Sequence, residues 1–249
     1  KFIIIYSDGP MGSSLLCSLL EQYGYLNLPF RKFFLKEYVM GTKKLNDKAI
    51  QYKFLETINW LSKPKQLGGT SVSDRDSRPR IIRANKPSDK EIYDFLSFKP
   101  KNLDALLTHC FLFGNKFIKY KSNYLPVRGF IIQEVSKINN NSESSTYSYI
   151  EKLSSLDNFS CYVMNRPFKE WVSSLLSQQD SRLNAQSKNR TVSIEKLFKR
   201  WKTLQQIIPY KNIFTIDINS IFLPNTKNVN KFIAESLSIP LINIKYFSN

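Results

Sequence analysis

The sequence predicts an α/β fold: a three-layer α/β/α arrangement around a mostly parallel central sheet. Two observations carry this. Short apolar runs of strand length, at Phe2–Tyr6, Gly129–Val135, Cys161–Met164 and Ile213–Ile216, alternate with longer stretches whose apolar residues recur at helical spacing. Such alternation is the pattern of strand–helix–strand crossovers, which align strands in parallel and lay helices on the sheet faces. The second observation is size. The chain has 249 residues, 42% hydrophobic, with 18 Phe and 13 Tyr, enough for one substantial core. A single domain over 1–249 is therefore expected, with ligands bound beyond the carboxyl ends of the strands.

Taken in order, Phe2–Tyr6 reads as a buried strand and Leu15–Tyr23 as a helix, with Ser13 or Ser14 placed to cap it. Lys32–Met40 and Asp47–Leu61 have helical spacing. Ser62–Asp89 is rich in Pro, Gly, Ser, Arg and Lys without periodicity; it reads as a mobile loop over a site or as a plain surface excursion. A helix is expected over Leu103–Phe113, then the Gly129–Val135 strand, a polar loop at Asn139–Ser145 and a helix over Tyr147–Leu156. The Cys161–Met164 strand leads into helices at Phe168–Gln178 and Ser193–Ile208. The Ile213–Ile216 strand ends at Asp217, and Asn228–Leu237 is the last helix.

No apolar stretch approaches the roughly 20 residues that cross a bilayer. Phe2–Tyr6 is too short for the core of a signal peptide, and the chain opens without Met, so a removed leader or anchor stays open. Cys17, Cys110 and Cys161 sit in apolar surroundings at no metal or disulfide spacing and read as reduced core residues, which favours a cytoplasmic location. The Asn-Xaa-Ser/Thr sites at Asn140, Asn158 and Asn189 are expected by chance in a chain this rich in Asn. A net charge of +17 describes either a solvated, Lys-rich surface or a field that draws polyanions such as nucleic acid, anionic glycan or a nucleotide with several phosphates.

Two strand-to-helix segments carry anion-binding chemistry. The first runs from the opening strand through Ser7, Asp8, Gly9, Pro10, Met11 and Gly12 to Ser13 and Ser14. A helix start presents unpaired amides and the positive end of the dipole to an anion. Gly9 and Gly12 let the chain turn tightly, and the two serines add hydroxyl donors. An ordinary capped helix after an ordinary strand is the other reading. The second segment delivers Arg166 at a strand end, then Ser173 and Ser174 seven and eight residues on. A guanidinium pairs bidentately with phosphate, and a serine two helical turns away lies on the same face. No Gly-Lys-Ser/Thr occurs anywhere in the chain, which disfavours metal-dependent nucleotide hydrolysis of the P-loop type.

Together these segments resemble the sulfotransferases that use 3′-phosphoadenosine 5′-phosphosulfate (PAPS), in particular bacterial and carbohydrate sulfotransferases. Gly12-Ser13-Ser14-Leu15-Leu16 looks like their 5′-phosphosulfate loop, and Arg166 with Ser174, or Ser173, matches their 3′-phosphate pair. Leu16-Cys17-Ser18-Leu19-Leu20 with Gly24 and Pro29 is similar to bacterial trehalose-type members, although Phe30 and Arg31 follow where those carry a glutamate. The stretch from Thr191 to Leu204 and the late Ile213–Asp217 strand with its closing helix resemble the family in the same order. The fold implied is a P-loop-like sulfotransferase fold. Two departures stand out. Pro10 occupies the place of the usual basic residue, and the Arg-Lys-Gly element of the cytosolic members is absent.

The resemblance implies PAPS as donor co-substrate, no metal, and a hydroxylated acceptor, a sugar or small metabolite. Gly9, Pro10, Met11, Gly12, Ser13, Ser14, Arg166, Ser173 and Ser174 are the donor-binding candidates. Ile131-Ile132-Gln133-Glu134-Val135-Ser136-Lys137 resembles a strand-end element of carbohydrate members. Lys137 is then the candidate for the missing cation and Glu134 for the base. Each reads equally as a strand-edge charge. His109, the only histidine, is a third catalytic candidate, but its apolar helical setting favours a structural role. Two other classes stay open: a catalytically weakened member that binds PAPS or anionic glycan, and a basic nucleic-acid-binding protein. No recognised nucleic-acid module is present, so no specific nucleic-acid partner is expected. The oligomeric state is not legible.

Overall fold

The computed structural model describes residues 1–7, 12–27, 35–41, 44–62, 82–120, 127–135, 143–183, 194–205, 212–221 and 226–242. The chain divides into two compact units, one of Lys1 with Gly24–Phe130 and one of Phe2–Tyr23 with Ile131–Asn249.

The second unit holds the α/β sheet. Its strands are β1 (Phe2–Ser7), β5 (Gly129–Val135, from Ile131 onward), β6 (Phe159–Asn165) and β7 (Ile213–Asp217). They lie in the order β5-β1-β6-β7 and run parallel, with helices flanking the sheet. Phe2 pairs with Phe159 and Tyr6 with Val163; Cys161 pairs with Ile213 and Asn165 with Asp217. Every residue of β1 is buried, as are the first six of β6. Strands covered on both faces read as continuous apolar runs rather than alternating ones. The helices are α1 (Ser13–Gln22), α6 (Glu143–Ser154), α7 (Phe168–Leu183), α8 (Ile194–Gln205) and α9 (Thr226–Leu237), with a 3₁₀ turn at Ile218–Ser220. The rings of Phe2 and Phe159 stack at 5.4 Å across the β1–β6 pair, and Trp171 of α7 is fully buried.

The first unit contains β2 (Tyr25–Asn27), α2 (Leu35–Val39), α3 (Asp47–Ser62), β3 (Ile82–Ala84), α4 (Asp89–Ser97), α5 (Leu103–Phe117) and β4 (Ile118–Tyr120). β3 and β4 form a small antiparallel pair. Phe54, Phe95 and Phe130 make its core, with Phe54 edge-on to Phe130 at 5.5 Å. Gln51 Nε2 donates to the carbonyls of Phe95 and Phe98, closing the end of α4.

Several expectations are corrected. The N-cap of α1 is Gly12, with no side-chain hydrogen bond, rather than Ser13 or Ser14. A glycine serves there because the cap residue has φ 81°, a left-handed conformation that L side chains disfavour. Residues 143–145, expected in a polar loop, open α6 instead. α4 begins at the end of the stretch read as irregular, held by a capping box in which Ser88 and Glu91 satisfy each other's backbone amides. β3 also falls within that stretch, whose residues 63–81 lie outside the described ones.

Candidate anion-binding site

β1 and β6 are neighbours in parallel, so their carboxyl ends, Ser7 and Asn165, reach the same edge of the sheet. Adjacent strands run about 4.8 Å apart, and the two strand-to-helix segments therefore leave the sheet side by side. The strand order also places β1 at a switch point. The chain leaves β5 on one side of β1 and re-enters the sheet as β6 on the other. In open α/β sheets the loops diverge at such a point and leave a crevice.

At the end of the first segment, Gly12 caps α1 with its own carbonyl, which accepts from the amides of Leu15 and Leu16 at 3.0 and 3.1 Å. The amides of Ser13 and Ser14 precede these first intrahelical bonds, in the position where a helix start binds anions. A Cβ at Gly12 would stand 2.6 Å from Ile218 Cδ1. Backbone conformation and close packing thus both require glycine at this point. Ser13 is buried. Ser14 lies in the first turn of α1. Gly9, Pro10 and Met11 lie outside the described residues.

The second segment is described throughout. Arg166 follows β6 directly, Pro167 intervenes, and α7 starts at Phe168. Pro167 suits this place because its fixed φ starts a helix and pushes the residue before it towards extended backbone. Its carbonyl accepts from the Trp171 amide at 2.9 Å, the first bond of the helix. Arg166, Lys169, Glu170, Ser173, Ser174 and Ser177 line an open cleft of about 490 Å³ along this face of α7. The side chain of Arg166 is 23% exposed and its Nε lies 3.7 Å from Glu170 Oε2. The structure thus brings Arg166, Ser173 and Ser174 onto one surface. Lys169, Glu170 and Ser177 were missed in the sequence. Their signal was present, since offsets of 3, 4, 7, 8 and 11 from Arg166 trace one helical face.

The turn is held from behind by α8. Trp201 Nε1 donates to the Arg166 carbonyl at 2.8 Å, and Gln205 Nε2 donates to Asn165 Oδ1 at 2.6 Å. Phe168, Phe198 and Trp201 pack their rings together at 5.1 to 6.1 Å.

The catalytic candidates are placed less completely. Glu134 is the penultimate residue of β5, the neighbour of β1, so its backbone belongs to the same sheet edge. Lys137 lies outside the described residues. His109 belongs to α5 in the other unit. Its Nε2 is 3.0 Å from the Phe95 carbonyl, and its ring stacks on Phe95 and Phe98 at 4.7 and 4.1 Å. Those contacts tie α5 to the end of α4. The three cysteines are buried; burial pushes the Cys110 thiol far up, so it stays protonated. Among the described residues no group of His, Cys, Asp and Glu is arranged to hold a metal, and no helix is long and apolar enough to cross a membrane.

No protein-family model matches this chain, and no curated protein matches it. Among solved structures it is similar to a sulfotransferase domain from the curacin biosynthetic pathway, at 14% identity and a TM-score of 0.45 over 96% of this chain and 74% of that one. It is also similar to TT1252 from Thermus thermophilus, at 11% identity and a TM-score of 0.33 over 95% and 96% of the two chains. The α/β class itself rests on the parallel strand order and the flanking helices.

Proposed function

We propose that this protein is a sulfotransferase that moves a sulfuryl group from PAPS to a hydroxyl of a carbohydrate or small metabolite. The observation that supports this most is the convergence of two anion-binding turns, far apart in sequence, on neighbouring parallel strand ends. One offers helix-terminal amides after Gly12; the other offers a guanidinium and two serine hydroxyls. Two such grips side by side suit a ligand with phosphate at both ends. A dianionic phosphate fits the second turn chemically, with Arg166 and Lys169 supplying charge and Ser173 and Ser174 supplying donors.

In this reading the amides of Ser13 and Ser14 and their hydroxyls hold the 5′-phosphosulfate, while Arg166 and Ser174 hold the 3′-phosphate. The acceptor oxygen bonds to sulfur as the bond from sulfur to the 5′-phosphate oxygen breaks, and adenosine 3′,5′-bisphosphate leaves with that electron pair. Glu134 takes the acceptor proton and Lys137 neutralises the charge on the leaving oxygen, the work a basic residue at Pro10 would otherwise do. Positioning and charge stabilisation supply the acceleration, without a metal.

Calorimetric titration with adenosine 3′,5′-bisphosphate beside 5′-AMP, on wild type and Arg166→Ala, tests the reading. Micromolar binding that needs the 3′-phosphate and is lost in the variant supports it; equal binding of both nucleotides sinks it. Pro10 motivates one second reading, a protein of this fold that binds the donor without turning it over. Donor binding with no sulfated product from any of a panel of sugars and phenols would favour that alternative.

A further inference from the structure

We infer that Trp201 and Gln205 are positioning residues: through them α8 sets the geometry at which Arg166 meets its anion. This rests on the reading of Arg166 as the 3′-phosphate ligand.

Arg166 stands between two regular elements, just after β6 and two residues before α7. The Pro167 carbonyl accepts from the Trp171 amide at the start of α7, and the Arg166 carbonyl accepts from Trp201 Nε1. This second bond is part-buried, and Trp201 supplies it from 35 residues away. Gln205, one helical turn further along α8, holds the side chain of Asn165, the preceding residue. Two consecutive residues of the turn are thereby fixed by two side chains on one face of one helix. Pro167 already restricts the backbone on either side of the Arg166–Pro167 bond. Within the extended range that Pro167 leaves, the Trp201 bond fixes the direction of the Arg166 carbonyl, and with it how the Arg166 side chain stands relative to α7.

α8 is itself seated against this turn by the rings of Phe168, Phe198 and Trp201. A shift of α8 therefore passes to Arg166 through two hydrogen bonds, and the 3′-phosphate grip depends on a helix that does not line the cleft. Lys169 and the serines, carried by α7 itself, do not share this dependence.

The test is a double-mutant cycle read by titration with adenosine 3′,5′-bisphosphate and with 5′-AMP. Trp201→Phe keeps a ring and deletes the donor; Gln205→Leu deletes the second bond at an exposed position. Each is expected to weaken bisphosphate binding about fivefold, the worth of one hydrogen bond, and to leave 5′-AMP unchanged. In the Arg166→Ala background neither has any further effect. Val229→Ala, which trims a buried residue of α9, lowers the melting temperature without moving the ratio of the two affinities. The inference is overturned if Trp201→Phe and Gln205→Leu weaken both nucleotides equally, or if their effects persist without Arg166. If wild type binds both nucleotides alike, the donor-site reading itself fails, and this inference falls with it.

Discussion

The two strand-to-helix turns follow adjacent parallel strands and, on the proposed reading, meet the same chemical problem differently. The turn after β1 ends in Gly12, whose side of the bargain is purely conformational: a left-handed cap with no side-chain hydrogen bond, closed on its outer face by Ile218. The turn after β6 works through side chains, with Arg166 at the strand end and serines along the following helix. A backbone site is specified by shape and tolerates no added atom at the glycine. A side-chain site is specified by charge and reach, and is tuned by the groups that aim it. Substitutions should therefore fail in different ways at the two turns: by strain and lost stability at the first, by lost anion selectivity with the fold intact at the second.

The largest effect is expected at Gly12→Ala. The left-handed conformation costs a non-glycine residue roughly 1–2 kcal/mol, and forcing a methyl against Ile218 adds roughly 1–3 kcal/mol. A loss of about 2–5 kcal/mol in urea denaturation is expected, together with loss of nucleotide binding. Ile218→Val removes the Cδ1 atom that stands 2.6 Å from the new methyl but leaves a methyl at the Cγ1 position, 2.8 Å away. The double variant Gly12→Ala/Ile218→Val should recover only part of the steric cost and retain the conformational part. Full recovery would mean that backbone conformation contributes nothing at this turn and would break the contrast.

Arg166→Ala comes next. Hydrogen bonds to charged groups contribute about 1.5–3 kcal/mol, so bisphosphate affinity should fall by about 10- to 100-fold with no change in urea midpoint. Arg166→Lys should recover only part, because a single ammonium cannot match the fork of a guanidinium. Raising salt should weaken wild-type binding of the bisphosphate more than that of 5′-AMP, since the charge-based turn is screened more than the amide-based one. An equal salt response for both nucleotides would count against the division of labour.

What the sequence made legible follows the same divide. The strands β1 and β6 stand out because a strand buried on both faces reads as a mostly apolar run, and β5, Gly129–Val135, was read with both ends right. β2, β3 and β4 were missed, since three residues show no period. α4 was missed although its signature, Ser88 followed by Glu91, was in plain view; Pro87 and the surrounding charges masked it. At the site, the spacing from Arg166 to Ser174 was legible because it lies within one helix. Ile218, Trp201 and Gln205 were not, because each acts on a turn distant in sequence through a contact that only the folded chain creates.

The serines of α7 give a smaller and sharper test. Both line the cleft, but Ser173 is exposed and Ser174 half-buried. A hydroxyl sheltered from water keeps more of its hydrogen-bond strength towards a phosphate. Ser174→Ala is expected to weaken bisphosphate binding about 3- to 10-fold, and Ser173→Ala less than about 2-fold, with 5′-AMP unaffected in both. The reverse order would move the phosphate one residue along α7.

The smallest effect lies away from both turns and serves as their baseline. In the first unit, Glu91 has its carboxyl held down to about 2 by its hydrogen bond to Lys116 and then by those to Ser88. Its folded value lies below the unfolded one, so the stabilisation is fully present above the ordinary carboxylate range and is lost as pH falls from 4.5 towards 2. Because the pair is exposed, the effect is small. Urea midpoints of wild type should drop between pH 6 and pH 3 slightly more than those of Glu91→Gln, whose neutral amide cannot titrate. Bisphosphate affinity of the same variant at pH 7 should match wild type, because neither turn draws on this pair. A variant that lost 3′-phosphate selectivity would tie the grip of Arg166 to α4 and α5, and selectivity would then no longer belong to the β6 turn and α8 alone.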